Sequence, residues 1–197
     1  LVEFNTEEPQ FDKNQLSKVY SSWENHFDNV EGGPDRSPKF PIPNNYQFLL
    51  RYAHLSNNQE ALNHVKLTLD KIAYGGIYDH LGGGITRYST DKLWKVPHFE
   101  KMLYDNGQIV SLYCEAYQKF KDEDYKKLVY GTLEFIEREL QSKEAAFYSA
   151  LDADSDGEEG KFYIWKKEEL MSLLGEEYEL FADYYNVNRK GYWEHEN

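Results

Sequence analysis

Apolar residues recur at helical spacing in a series of stripes, and the connectors between those stripes alternate long and short, a pattern that admits few folds. Leu16, Val19, Tyr20, Trp23 and Phe27 mark a first helix, opened by Asp12 as N-cap with Gln15 three residues on, and Phe11 and Leu16 are placed for a hydrophobic staple. A second helix is expected over 44–55 and a third over 59–74, where Leu62, Val65, Leu69 and Ile72 share a face. Only Ser56-Asn57-Asn58 separates them, so they form an antiparallel hairpin. Phe99, Met102, Leu103, Asn106, Ile109, Val110, Tyr113, Tyr117 and Phe120 predict a long fourth helix beginning at Pro97, a favoured first-turn residue. Tyr125, Leu128, Leu133, Ile136 and Leu140 give a fifth after the polar turn Lys121-Asp122-Glu123-Asp124. Shorter helices are expected over 167–174 and 177–185, punctuated by Gly175.

The links before helices two, four and six are long, whereas those after two and four are short. In antiparallel helices alternate links emerge at opposite ends, so the three long ones share one end. Two of them read as β-hairpins, Ile85–Thr90 with Leu93–Val96, and Ala146–Leu151 with Lys161–Trp165. Long loops on a rigid helical scaffold are where binding and catalytic groups concentrate. Helices two, four and six begin there, directing their unpaired N–H groups at a ligand, which suits hydroxyl-rich or anionic small molecules.

A chain of 197 residues with 40% hydrophobic content can fill a core and is expected to form a single domain over 1–197. The net charge of -13 argues against nucleic-acid and anionic-membrane partners. One cysteine, Cys114, cannot form an internal disulfide and sits in an apolar helical pattern, so it is expected to be a buried, inert thiol in a reducing compartment. With no long apolar run and no basic-then-apolar leader, the expected location is cytoplasmic. Leu1 at the start and the aromatic, polar stretch Gly191–Asn197 at the end lead to the expectation of a fragment.

Three stretches carry a family resemblance: Gly32–Pro41, Gly75–Gly84 running on through Val96–Asn106, and Phe147–Ser155. They resemble signature segments of the spermatogenesis-associated protein 20 family, whose bacterial members are thioredoxin-domain proteins. The resemblance implies a thioredoxin-like domain followed by an (α/α)6 toroid similar to N-acylglucosamine 2-epimerases and six-hairpin glycosidases. On that basis the chain is expected to be all-α, the first half of a toroid with short β-hairpins in its long loops. The thioredoxin-like domain and the second half would lie outside it. A half-ring leaves apolar faces uncovered, so self-association or packing with the missing half is expected.

Five residues on the long connectors are candidate catalytic groups: His98, Glu100, Asp79, His80 and Asp152. His98 would act as general acid or base at a sugar carbon or glycosidic oxygen, unless it is a structural histidine with Glu100 merely matching a helix dipole. If helical, His98 shares a stripe with Met102, Asp105 and Ile109. Asp79 and His80 sit among glycines that either cradle a substrate or only tighten a turn; these lack the Gly-Lys-Ser/Thr ending of a phosphate loop. Asp152 with Glu100 would suit glycosidase chemistry if their spacing allows. Arg87, Trp94, Tyr104, Asp105, Lys39 and Phe40 are candidate substrate contacts, Trp94 by stacking and Arg87 by holding hydroxyls, although hairpin packing and proline rigidity explain several equally. Asp152, Asp154, Asp156 and Gly157 imitate a calcium loop, but the twelfth position is Tyr163, so no metal and no cofactor are expected. The function read from these residues is epimerase- or isomerase-like acid–base chemistry on a sugar-like ligand. The alternatives are a glycosidase-like hydrolase or a non-catalytic binding module attached to a thioredoxin-like domain.

Overall fold

The computed structural model describes residues 12–187, which divide into two compact units, the first ending at Leu151 and the second beginning at Asp152. Phe11, with the staple assigned to it, and the Gly191–Asn197 stretch lie outside the described residues. The first unit is built from α1 (Lys13–Glu24), α2 (Pro43–Ser56), α3 (Gln59–Tyr74), α4 (Leu103–Phe120) and α5 (Glu123–Phe135), the last ending in a π-helical turn, Ile136–Leu140. Asp12, Asn58 and Asp122 cap α1, α3 and α5 by accepting from the backbone N–H of the second or third helical residue. The short turns close as expected, with Asn57 and Lys121 in the left-handed conformation ending α2 and α4.

The helix stripes meet in one core. Leu49, Val65, Leu69, Ile72, Ile109 and Leu112 are buried, each contributing roughly 1.5–3 kcal/mol by leaving water. Tyr113 lies among them because its hydroxyl donates to the Leu69 carbonyl at 2.8 Å. Cys114, expected in this core, is exposed: it falls one position past Tyr113, on the opposite face of α4.

Three expectations about the connectors change. Helix four starts at Leu103, not Pro97, and residues 97–102 are extended instead. Pro97–His98 forms β2, paired antiparallel with β1 (Tyr88–Ser89), and Lys101–Met102 forms β3, paired with β4 (Ala150–Leu151). Helix one ends at Glu24, leaving Phe27 to bridge Pro34. The hairpin pairing is also shifted, for Tyr88–Ser89 pairs with Pro97–His98, Thr90 N–H donates to Val96 O, and the residues from Leu93 to Lys95 lie in the turn.

These pairings stitch the long connectors together. Lys39 in the first bridges Ser89 in the second, and β3 at the end of the second pairs with β4 in the third. The backbone groups of the connectors are thus satisfied by one another rather than by helix.

An internal repeat underlies this stitching. Asp28 and Asp79 stand 51 residues apart, as do Gly32 and Gly83, and Arg36 and Arg87. In the first copy Asp28 Oδ1 accepts from Val30 and Glu31 N–H, while Oδ2 takes Lys39 Nζ at 2.7 Å, which also donates to Gly32 O. In the second, Asp79 Oδ1 accepts from Leu81 and Gly82 N–H, and Lys101 Nζ reaches Asp79 Oδ2 and Gly83 O, both at 2.8 Å. Gly32 and Gly83 have φ of +68° and +76°, and an added Cβ would strike Thr68 backbone in one case and the Gly131 carbonyl in the other.

The second unit contains β5 (Asp154–Ser155) paired with β6 (Glu158–Glu159), then α6 (Lys167–Leu174), a 3-10 turn and α7 (Tyr178–Tyr185). Lys161–Trp165 does not pair with Ala146–Leu151, and the acidic stretch read against a calcium loop is a hairpin. Asp156 and Gly157 both take positive φ, 54° and 80°, the geometry of a two-residue type I′ turn. No described helix is long and apolar enough to cross a membrane.

Candidate functional site

Because β2 is a strand, His98 faces its cross-strand partner instead of joining a helical stripe with Met102, Asp105 and Ile109. The imidazole stacks on Tyr88, ring centroids 4.7 Å apart and 12° from parallel, and Tyr88 in turn meets Phe40 at 4.7 Å. Phe40 belongs to the first long connector and the other two to the second, so an aromatic row spans the stitched loops. Two residues beyond His98, Glu100 takes Arg87 Nη1 at 3.0 Å, and its carboxylate lies 4.0 Å from His98 Nε2. The backbone bond from Arg87 N–H to Glu100 O fixes this register.

The first turn of α4 completes the group. Burial pushes the Asp105 carboxyl above the usual carboxylate range, Arg87 opposes that shift, and Glu100 adds to it. Tyr104 is half exposed and sits within electrostatic reach of Arg87. Arg87, His98, Glu100, Tyr104, Asp105 and Phe40 therefore share one neighbourhood: an aromatic platform, a guanidinium–carboxylate pair, an imidazole and a half-buried carboxyl. Tyr88 is the ring that joins Phe40 to His98.

Other expected site residues are turned to different uses. Lys39 is fully buried, its ammonium held by Asp28 and Gly32 O, and Trp94 is fully buried with Nε1 donating to Glu31 O at 2.9 Å. Neither side chain is presented for a ligand, because the Asp-Lys clasp consumes the one and the core the other. Asp79 serves the second clasp: burial disfavours its charge, but Gly82 N–H, Lys101 and Leu81 N–H together hold its carboxyl below the usual range. His80 stays in its own loop, Nε2 lying 3.0 Å from Gly75 O. Asp152 opens the second unit, where it is exposed and accepts from Asp154 N–H. Among the described residues no group of three or more His, Cys, Asp or Glu side chains is arranged to hold a metal.

Comparison with known proteins gives this geometry a family setting. No protein-family model matches the chain. Human spermatogenesis-associated protein 20 is 40% identical over 170 residues, covering 81% of this chain and 22% of that protein. The chain is a homologue of part of spermatogenesis-associated protein 20. It spans less than a quarter of the length of that relative. A sugar epimerase from a ruminal bacterium superposes with a TM-score of 0.62 at 16% identity, over 90% of this chain and 51% of that one. Cellobiose 2-epimerase from Bacillus thermoamylovorans gives 0.60 at 14%, over 71% and 40%. The fold is accordingly that of part of an α/α toroid, with α2–α3 and α4–α5 as antiparallel hairpins.

Proposed function

We propose that the stitched connectors form the ligand site of a carbohydrate-processing toroid, and that the site carries out acid–base chemistry on a sugar-like metabolite. The observation that carries this reading is the His98–Tyr88–Phe40 row lying beside the Arg87–Glu100 pair. An aromatic face supplies apolar contact for the C–H surface of a sugar ring, while the polar groups alongside supply hydrogen bonds to hydroxyls. The solved toroids that share the fold are a sugar epimerase and a cellobiose 2-epimerase, which supports this ligand class without fixing the reaction.

In the proposed chemistry His98 takes or returns a proton at a carbon next to a carbonyl, since imidazole exchanges protons near neutral pH. Glu100, fixed by Arg87, orients the imidazole, and Asp105 is the second proton carrier. Burial raises the Asp105 carboxyl above the usual carboxylate range, which suits it to that role.

The test is incubation of the chain with reducing mono- and disaccharides in D2O, followed by NMR for solvent deuterium at the carbonyl-adjacent carbon. Exchange that falls by about 100-fold or more in His98→Ala supports the assignment, the usual size of a lost acid–base group. Binding without exchange would favour the non-catalytic module, and exchange unchanged in His98→Ala would remove this residue from the mechanism.

A further inference from the structure

The first connector lines a cavity of about 150 Å3 that includes none of the His98, Tyr88, Arg87 and Glu100 side chains. Its walls are Trp23, Phe27, Tyr46 and Leu49, and the exposed residues lining it include Arg36 and His26. Phe27 is not free to close the space, because its ring is stacked on His64 with centroids 3.7 Å apart and planes 5° from parallel. A space of this volume takes a ring the size of benzene.

The charges around the cavity are distributed unevenly. Each carboxylate of the connector already has a lysine: Asp28 has Lys39 at 2.7 Å, Glu31 has Lys71 at 2.6 Å, and Asp35 has Lys92 at 3.0 Å. The arginines elsewhere are likewise taken, Arg51 by Glu115, Arg87 by Glu100 and Arg138 by Glu139. Among the described residues Arg36 is the arginine whose guanidinium has no carboxylate, and it lines an aromatic cavity in a chain of net charge -13. Its fork of N–H donors matches a carboxylate with two parallel bonds.

We propose that this cavity binds a small free carboxylic acid with an aryl or branched-alkyl body, the apolar part among Trp23, Phe27 and Tyr46 and the carboxylate on Arg36. The two demands reinforce each other, since the ring places the anion and the guanidinium selects it.

Titration calorimetry and NMR with benzoate and its neutral counterpart benzamide test this directly. Benzoate is expected to bind at least tenfold more tightly and to shift the Trp23 indole resonance. Arg36→Gln, an exposed substitution that leaves the fold intact, is expected to erase the preference while keeping the weak affinity for the ring. Equal affinities for the two probes, an unchanged preference in Arg36→Gln, a shift that bypasses Trp23, or no saturable binding at millimolar probe would each overturn the proposal.

Discussion

Replacing His64 by phenylalanine isolates the energetic consequence of an imidazole buried without partners. His64 is 4% exposed, its ring is stacked on Phe27, and neither ring nitrogen has a hydrogen-bond partner in the structure. Burial is the main reason its pKa falls from 6.5 to about 4, with Asp28 raising it and Lys39 lowering it further. The unfolded chain therefore binds a proton at a pH where the folded one does not. Stability from this group is complete above pH 6.5 and drains away as pH falls toward 4. At 1.36 kcal/mol per unit, the full loss is roughly 3 kcal/mol. Phenylalanine keeps the stack and removes both unsatisfied nitrogens, so His64→Phe is expected to be more stable at pH 7 by about 1–3 kcal/mol. The difference between variant and parent then widens by roughly 3 kcal/mol between pH 6.5 and 4, because the carboxylates common to both cancel. Urea denaturation at several pH values measures it. A difference that stays constant over that range would refute the assignment of a buried neutral His64, and His64→Leu serves if the larger ring packs poorly.

Three further outcomes follow from the geometry. Asp79→Asn leaves the buried Lys101 ammonium without its carboxylate and should cost about 3–5 kcal/mol at neutral pH, read by chemical denaturation; the cost shrinks as pH falls through the lowered folded-state pKa of Asp79, where the parent loses the same pair. Gly83→Ala meets both a positive φ and the Gly131 carbonyl, so it should lower the melting temperature well beyond Gly157→Ala, which has φ of +80° but open space around it and costs only about 1–2 kcal/mol. Met171, Leu173, Leu180 and Tyr184 of the second unit are exposed, and the chain is expected to self-associate as concentration rises; a monodisperse monomer by light scattering over a wide concentration range would contradict that.

The second and third helices were legible in the sequence nearly to the residue, because local chemistry decides them: Asn58 caps, Asn57 turns left-handed, and the apolar stripe has a single period. The start of α4 is not decided by local sequence. Proline suits the first turn of a helix and also the first residue of a strand, and the choice at Pro97 was made by partners distant in sequence, Tyr88–Ser89 and Ala150–Leu151. That choice took His98 and Glu100 off the helix and set them beside Tyr88 and Arg87. The meeting of the long connectors, realised by the pairings of Lys39 with Ser89 and of β3 with β4, was readable from connector length. The inward turn of Lys39 and Trp94 was not, since burial of a lysine depends on a carboxylate that folding brings to it. The 51-residue recurrence of the Asp, Gly and Arg positions marks Asp28 and Asp79 as equivalent in the sequence, and the structure gives both the same clasp.

Residue-resolved mapping of a bound sugar tests the central claim most directly. With a saccharide that exchanges or binds, resonances of His98, Tyr88, Phe40 and the start of α4 are expected to shift together, and the shifts are expected to vanish in Arg87→Ala. Saturable shifts confined to the short-turn end of the helices, with the His98 and Tyr88 resonances unmoved, would contradict the account.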